Sequence, residues 1–325
     1  NTNKLVKFNK NFWMDMNLTL GNNKNEILEM DPQVLETLNS TFYYGNREIL
    51  QRVQVHNPFG AIYGFRYKGV YQYQYDTFAS MSKEEQQQFL ASGKTAPVAT
   101  NADGSVIYDD KGQPVRMMYN YSNGSTGKNY KFSGGDAIYE DVNNDGNIDA
   151  LDLVYLGSSL PKLTGGFGFN FHYNGWKLNA QFNYRIGNKI LNLTRLDMEA
   201  MVNNNNQSQA VNYRWRKEGD LTTIPRAMYG STTNYNTLIS DRFVEDGSFL
   251  RLNYLQLSYA FDSKWVVKTL GLRGLRFYMS ANNLFCLTKY TGADPEVGYG
   301  SYGASVDSGK TPRSKSYTLG LTVDF

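Results

Sequence analysis

Apolar and polar residues alternate with a period of two over long stretches, the pattern of strands with one greasy and one wet face. Phe167, Phe169, Phe171 and Tyr173 oppose Gly166, Gly168, Asn170 and His172. Asn174-Gly175 follows, the dipeptide most favoured in a two-residue hairpin turn. The alternation then resumes, with Trp176, Leu178, Ala180, Phe182, Tyr184 and Ile186 against Lys177, Asn179, Gln181, Asn183 and Arg185. Phe12, Met14, Met16, Leu18 and Leu20 alternate with Trp13, Asp15, Asn17 and Thr19. Residues 255–261, 275–281 and 317–325 repeat the scheme.

The pattern predicts nine strands, near 3–8, 11–20, 47–56, 61–74, 165–174, 175–187, 248–261, 274–288 and 314–325. Many reach about ten residues, the length of a tilted membrane strand, whereas soluble strands average about five or six. Short linkers at Asn9-Lys10, Asn57-Pro58-Phe59-Gly60, Asn174-Gly175 and residues 262–273 alternate with long ones near 21–46, 75–164, 188–247 and 289–313. That asymmetry belongs to barrels with tight periplasmic turns and large outer loops. The expected fold is therefore all-β, a transmembrane antiparallel barrel with long extracellular loops. The competing fold is a soluble sandwich whose apolar faces meet. Nine is odd where bacterial barrels are even, and bare strand edges are not viable in hydrocarbon. Further strands are thus expected before Asn1, where the chain begins with no Met and no signal peptide.

Composition agrees. A hydrophobic content of 41% and a mean hydropathy of -0.53 leave no apolar run long enough for a membrane helix. The net charge of +3 is too small for a nucleic-acid binder. Tyr 25, Phe 18 and Trp 4 make an aromatic excess weighted toward tyrosine, suited to membrane girdles or sugar platforms. The lone Cys286 forbids an internal disulfide and is expected to be a small buried or lipid-facing side chain. His56 and His172 are the only histidines, which argues against a histidine-rich metal centre or catalytic triad.

The sharpest local motif is Asp141-Val-Asn143-Asn-Asp145-Gly146-Asn147-Ile148-Asp149-Ala-Leu-Asp152. Its oxygen side chains, central glycine and following apolar residue match the EF-hand loop. The expected calcium ligands are Asp141, Asn143, Asp145, Asn147 (through its carbonyl), Asp149 and Asp152. Asp152 replaces the usual bidentate Glu, so a Kd of roughly 10⁻⁴ to 10⁻³ M is expected. The alternative is a solvated Asn/Asp-rich turn. In the same 75–164 insert, Ser82-Lys-Glu-Glu85 is a capping box opening a helix that ends near Gly93. Asp103-Gly104 and Asp110-Lys111-Gly112 bracket a small hairpin. Tyr119, Tyr121 and Tyr130 are expected to pack in the loop or on a partner in preference to stacking on sugars. No catalytic motif is present, so no enzyme activity is expected; a carboxylate pair of a glycoside hydrolase fragment is the outlying reading.

The chain resembles the C-terminal part of SusC/RagA-type TonB-linked outer-membrane transporters. The carrying stretches are Gly60-Ala-Ile-Tyr-Gly-Phe-Arg-Tyr-Lys-Gly69-Val-Tyr71, the Asp141–Asp149 loop leading to Leu156-Gly157, and Gly165-Gly-Phe-Gly-Phe169. Trp215-Arg-Lys-Glu-Gly219-Asp220, Ile224-Pro225-Arg226 and Phe243-Val-Glu-Asp-Gly-Ser-Phe249-Leu-Arg251 follow in the family's order. Asn282-Asn-Leu-Phe285, Thr288-Lys-Tyr-Thr-Gly-Ala-Asp294-Pro-Glu-Val297 and the last strand ending in Phe325 complete the set. The resemblance implies a barrel of the 22-stranded, plugged class in the bacterial outer membrane. It also implies a SusD-like surface lipoprotein as lid, energy from the TonB complex through upstream parts, and a glycan or oligopeptide cargo. Lys177, Asn179, Gln181, Asn183, Arg185, Gln256 and Asn282 are the expected lumen-facing residues. The runner-up is a secreted, calcium-stabilised carbohydrate-binding β module.

Overall fold

A computed structural model describes residues 2–34, 41–44, 47–50, 54–120, 129–230, 235–261, 263–298 and 304–325. Its backbone is one seven-stranded antiparallel sheet: β1 (Thr2–Lys7), β2 (Phe12–Gly21), β3 (Leu163–Tyr173), β4 (Trp176–Ile186), β5 (Phe249–Ala260), β6 (Gly274–Thr288) and β7 (Ser316–Asp324). Each strand pairs with its neighbour in sequence, the order of an up-and-down wall. The β3–β4 hairpin turns at Asn174 (φ 43°) and Gly175 (φ 85°), the double positive φ that an Asn-Gly turn supplies.

Register keeps the two faces distinct. Met16, Phe169, Ala180, Leu255, Ala281 and Tyr317 form one cross-strand row; Met14, Phe171, Leu178, Leu257, Met279 and Leu319 form the next. Phe167 stacks on Phe182 at 4.7 Å between centroids, and Trp176 lies 4.7 Å from Tyr259. A bulge at Asn253 shifts β5 by one residue. It lets Leu250 and Leu252 share a face with Leu255 and Leu257 although their spacing breaks the alternation. Among the described residues no second sheet covers this apolar face. Leu20, Met279, Leu287 and Leu319 are 50–72% exposed. The sandwich fold is thereby set aside.

Two expected strands lie elsewhere. Arg47–Leu50 pairs with Thr41–Tyr44 in a separate two-stranded ladder, and residues 51–53 fall outside the described residues. The 61–74 strand is two short pieces, Ala61–Gly64 and Tyr67–Val70, paired with Val154–Ser158 and Ala137–Tyr139. Residues of both parities there are buried: Ile62, Tyr63, Phe65, Val70 and Tyr71 are each at most 5% exposed. Such a segment belongs in a globular core, because a barrel strand keeps one face on lipid.

With seven strands the connections still alternate. Residues 8–11, 174–175 and 261–273 join strands at one end; 22–162, 187–248 and 289–315 join them at the other. The first end adds an unexpected helix, Ser263–Leu270, which buries Val266 completely and leaves Trp265, Val267 and Leu270 exposed. The long connections fold together as a cap. Phe65, Tyr71, Phe132, Tyr139 and Ile148 from the first pack with Tyr235 and Leu238 from the second, and Ile62 packs with Leu191, Leu196 and Phe243.

Candidate functional site

The polar face of the sheet carries its own rows. Asp15, Asn170, Asn179, Gln256, Ser280 and Thr318 stand side by side across six strands. Asn170 Nδ2 donates to Asp15 Oδ1 at 2.7 Å, and Asn179 Nδ2 donates to Asn170 Oδ1. One row toward the short-turn end, Trp13 stacks on His172 with centroids 3.4 Å apart. Lys177, Asn179, Gln181, Asn183 and Arg185 share this face with Gln256 and Asn282. Gln181 lies over Gly168, where an added Cβ would sit 2.1 Å from its side-chain oxygen, so the glycine makes room for the amide.

Sequence reading overlooked Arg251. It lies on the same face, opposite Asn183 and Cys286, with its side chain only 5% exposed. Its Nη2 is 2.6 Å from Asp294 Oδ1 and its Nε 2.8 Å from Glu296 Oε2, while Arg313 Nε reaches the same Glu296 oxygen at 3.1 Å. These pairs fold the 289–298 segment inward over the polar face. The signal was present: Phe249-Leu-Arg251 and Asp294-Pro-Glu-Val297 were both singled out as motifs. Cys286 faces this ion cluster, not lipid, because its neighbour Phe285 takes the outward position.

The Asp141–Asp152 loop is bolted to the cap. Asn147–Ile148 pairs with Met118–Tyr119, and Ile148 is fully buried in the cap core. Asp141 accepts from the amides of Asp145 (3.2 Å) and Gly146 (2.8 Å), and Asp145 Oδ1 from Asn147 N (2.8 Å). Asn143 Oδ1 accepts from Asp145 N at 3.3 Å, and Asp149 caps Leu151 N at 2.7 Å. Asp152, 1% exposed, accepts from Val142 N (2.7 Å) and Asp149 N (2.8 Å). Gly146 (φ 84°) makes the sharp bend. Burial pushes the Asp141 and Asp152 carboxyls above the ordinary range. Asn147 Oδ1, the side-chain oxygen and not the carbonyl expected as ligand, is buried with no hydrogen-bond partner. Among the described residues no three His, Cys, Asp or Glu side chains gather tightly enough to hold an ion alone. A cation here would therefore need the asparagine and carbonyl oxygens as well.

Elsewhere the cap is cross-braced. Asp136, fully buried, accepts from Arg226 Nε (2.7 Å), Tyr130 OH (2.7 Å) and Ser133 N (2.8 Å). Tyr130 stacks on Tyr235 at 4.1 Å and Tyr119 is 5% exposed, so both belong to the cap core; Tyr121 lies outside the described residues. The capping box stands, with Ser82 N donating to Glu85 Oε2 at 2.8 Å and Glu85 N to Ser82 Oγ at 3.3 Å.

Comparison with known proteins sets this two-faced sheet in context. No family model matches the chain. It is 25% identical over 327 residues to the TonB-dependent receptor P3 of Formosa agariphila, covering 98% of this chain and 27% of that protein. It is 27% identical over 225 residues to the TonB-dependent receptor SusC of Bacteroides thetaiotaomicron, covering 67% of this chain and 18% of that protein. The RagAB peptide transporter superimposes with a TM-score of 0.64 at 19% identity, over 99% of this chain and 28% of that chain, a likeness of fold. The chain thus spans about a quarter of the length of the relatives it matches. A sheet greasy on one side and wet on the other, capped at its long-loop end, is similar along nearly its whole length to TonB-dependent receptors such as P3 and P39, shares the fold of RagAB, and is that of a bacterial outer-membrane protein.

Proposed function

We propose that the seven strands form part of the wall of a 22-stranded transmembrane barrel that imports glycans or oligopeptides. The observation that carries this reading is the uncovered apolar face opposite a continuous polar one. A contiguous exposed apolar face marks a contact surface, and one backed by a continuous polar face along ten-residue strands fits lipid. The polar face then lines the lumen, and its amides and charges keep the path wet. Long connections gather outside, where a SusD-like lipoprotein would close over cargo, with TonB supplying energy through other parts of the receptor. The likeness to a peptide transporter supports peptides. The exposed Tyr229, 71% accessible and donating its hydroxyl to Asn204 Oδ1 at 2.9 Å, and the 76% accessible Tyr213 suit sugar stacking. In a strain lacking the full-length receptor, uptake of fluorescent glycans and of fluorescent peptides is compared with and without complementation. Restored uptake of one class supports import, and unchanged uptake of both refutes it.

For the Asp141–Asp152 loop the proposed ligand is calcium, held by Asp141, Asn143, Asp145, Asn147, Asp149 and Asp152. The buried Asp141 and Asp152 carboxyls and the Gly146 bend support it. Bound calcium would offset the burial of these carboxylates and stiffen the cap for lid docking. Calorimetric titration of the full-length receptor should give calcium heat that Asp141→Ala with Asp145→Ala removes. A calcium-silent receptor, or a double variant that holds its lipoprotein normally under chelation, would refute the site or the docking role respectively.

A further inference from the structure

Two depressions lie near the long-loop end of the apolar face. The lower, about 590 Å³, is lined by the outward side chains of Leu163, Phe167, Tyr184, Ile186, Leu250 and Leu287. Lys289 and Asp246 stand at its rim; Asp246 accepts from Ser248 N (3.0 Å) and Oγ (2.6 Å) and faces Lys189 across the ladder. The upper, about 440 Å³, is lined by Lys24, Lys162 and Lys189. Glu26 is the only acid on that lining, and it lies 3.4 Å from His56 Nδ1. Lys162 and Gly187 of the upper lining adjoin Leu163 and Ile186 of the lower in the chain; Leu163 faces Ile186 in register and Lys162 N donates to Ile186 O at 2.9 Å. Glycines hold the lysines in place. An added Cβ on Gly187 would sit 3.0 Å from Lys162 Cγ, and one on Gly157 2.6 Å from Lys189 Cγ. Both glycines have positive φ, 85° and 142°, so a side chain there is strained as well as crowded.

We propose that this is a binding site for a single outer-leaflet lipid, with an acyl chain in the lower groove and a phosphorylated headgroup on Lys24, Lys162 and Lys189. Any barrel touches acyl chains. What separates this place from the rest of the wall is a groove beside the lipid-facing band flanked by four lysines, Lys24, Lys162, Lys189 and Lys289, against two acids, Glu26 and Asp246. An amphiphile with an anionic head matches both halves at once, whereas free phosphate satisfies only the upper and a neutral hydrocarbon only the lower. The inference rests on the barrel reading of the sheet.

The full-length receptor is reconstituted in phosphatidylcholine vesicles containing a minority of phosphatidylglycerol, then extracted gently and weighed by native mass spectrometry. Retained phosphatidylglycerol over phosphatidylcholine is expected. Lys162→Gln and Lys189→Gln should each lower that preference about fivefold, the factor for one cation at an anionic lipid surface. Leu287→Trp, which fills the groove, should lose both lipids, and Lys268→Gln at the opposite end should change nothing. Equal retention of the two lipids, or displacement of phosphatidylglycerol by inorganic phosphate, overturns the site. Failure of the wild-type receptor to insert, read as loss of its heat-dependent gel shift, would instead strike the barrel reading beneath it.

Discussion

The face assignment can be tested at one pair of adjacent residues. Leu255 and Gln256 sit near the middle of the twelve-residue β5, which at about 3.3 Å per residue and a tilt near 45° spans about 28 Å of bilayer. Leu255 is thus close to the midplane, on the apolar face, flanked by Ala180 and Ala281. Those neighbours are small, so arginine meets little steric resistance and the measured effect is one of solvation. Leu255→Arg should cost ~2–4 kcal/mol, the penalty of a guanidinium at mid-bilayer. Gln256→Arg points the same group at water between Asn179 and Ser280 and should stay within about 0.5 kcal/mol. Tyr259→Arg, on the apolar face but at the short-turn end, should fall to about 0–1 kcal/mol. Urea unfolding of the full-length receptor in vesicles reads all three as midpoint shifts at constant slope. A Gln256→Arg penalty equal to or larger than that of Leu255→Arg would show that the sheet faces the other way.

Other expectations concern the cap. Gly64→Ala drives a Cβ to 2.6 Å from Ile239 O and 2.9 Å from Leu156 Cδ1; it should lower cap stability by ~1–3 kcal/mol, visible as faster proteolysis between residues 54 and 120. Arg226→Ala leaves the buried Asp136 carboxylate without its cation and should cost ~3 kcal/mol, whereas Arg66→Ala at an exposed pair should be nearly silent in the same thermal melt. The Ser82 amide, then its hydroxyl, hold the Glu85 carboxyl below the ordinary range. Its support for the Lys83–Ala91 helix is therefore complete above the usual glutamate pKa and fades as pH falls through the lowered value. Hydrogen exchange of the first helical turn should follow that sign, and Glu85→Gln should flatten it.

Much of the sheet was legible in the sequence because one apolar and one polar face impose strict alternation over many residues. β2 through β7 fall within about two residues of their expected bounds, and the Asn174-Gly175 turn was readable outright. The switch of parity between Leu252 and Leu255 was equally visible, and marks the bulge at Asn253. Alternation fails as a guide where both faces are buried. In residues 61–71 it reports two different packing environments, Gly64 under the Ile239 backbone and Tyr63 against Tyr155, with no lipid involved. For the polar face, spacing named the residues but not their partners. Arg251 becomes intelligible only when a connection forty residues later returns Asp294 and Glu296 to it.

The aromatic excess calls for a different account from the one composition suggested. Tyr63, Tyr71, Tyr119, Tyr139, Tyr235 and Tyr290 are all buried, and none lies in the seven-stranded sheet. The cap they occupy is built largely from turns and very short strands, so many of its carbonyls have no ladder partner. A phenylalanine core would leave such carbonyls dry and unpaired; a tyrosine fills the same volume and carries a donor at its tip. The geometry bears this out at separate places. Tyr67 OH donates to Thr223 O at 2.7 Å, Tyr75 OH to Pro114 O at 2.7 Å, and Tyr139 OH to Tyr235 O at 3.0 Å. Burial pushes the Tyr67 phenol up to about 12, so the donor keeps its proton throughout the physiological range. Tyrosine here is the means by which long, irregular connections acquire a core of their own, and that core packs the first two connections together at the long-loop end of the sheet.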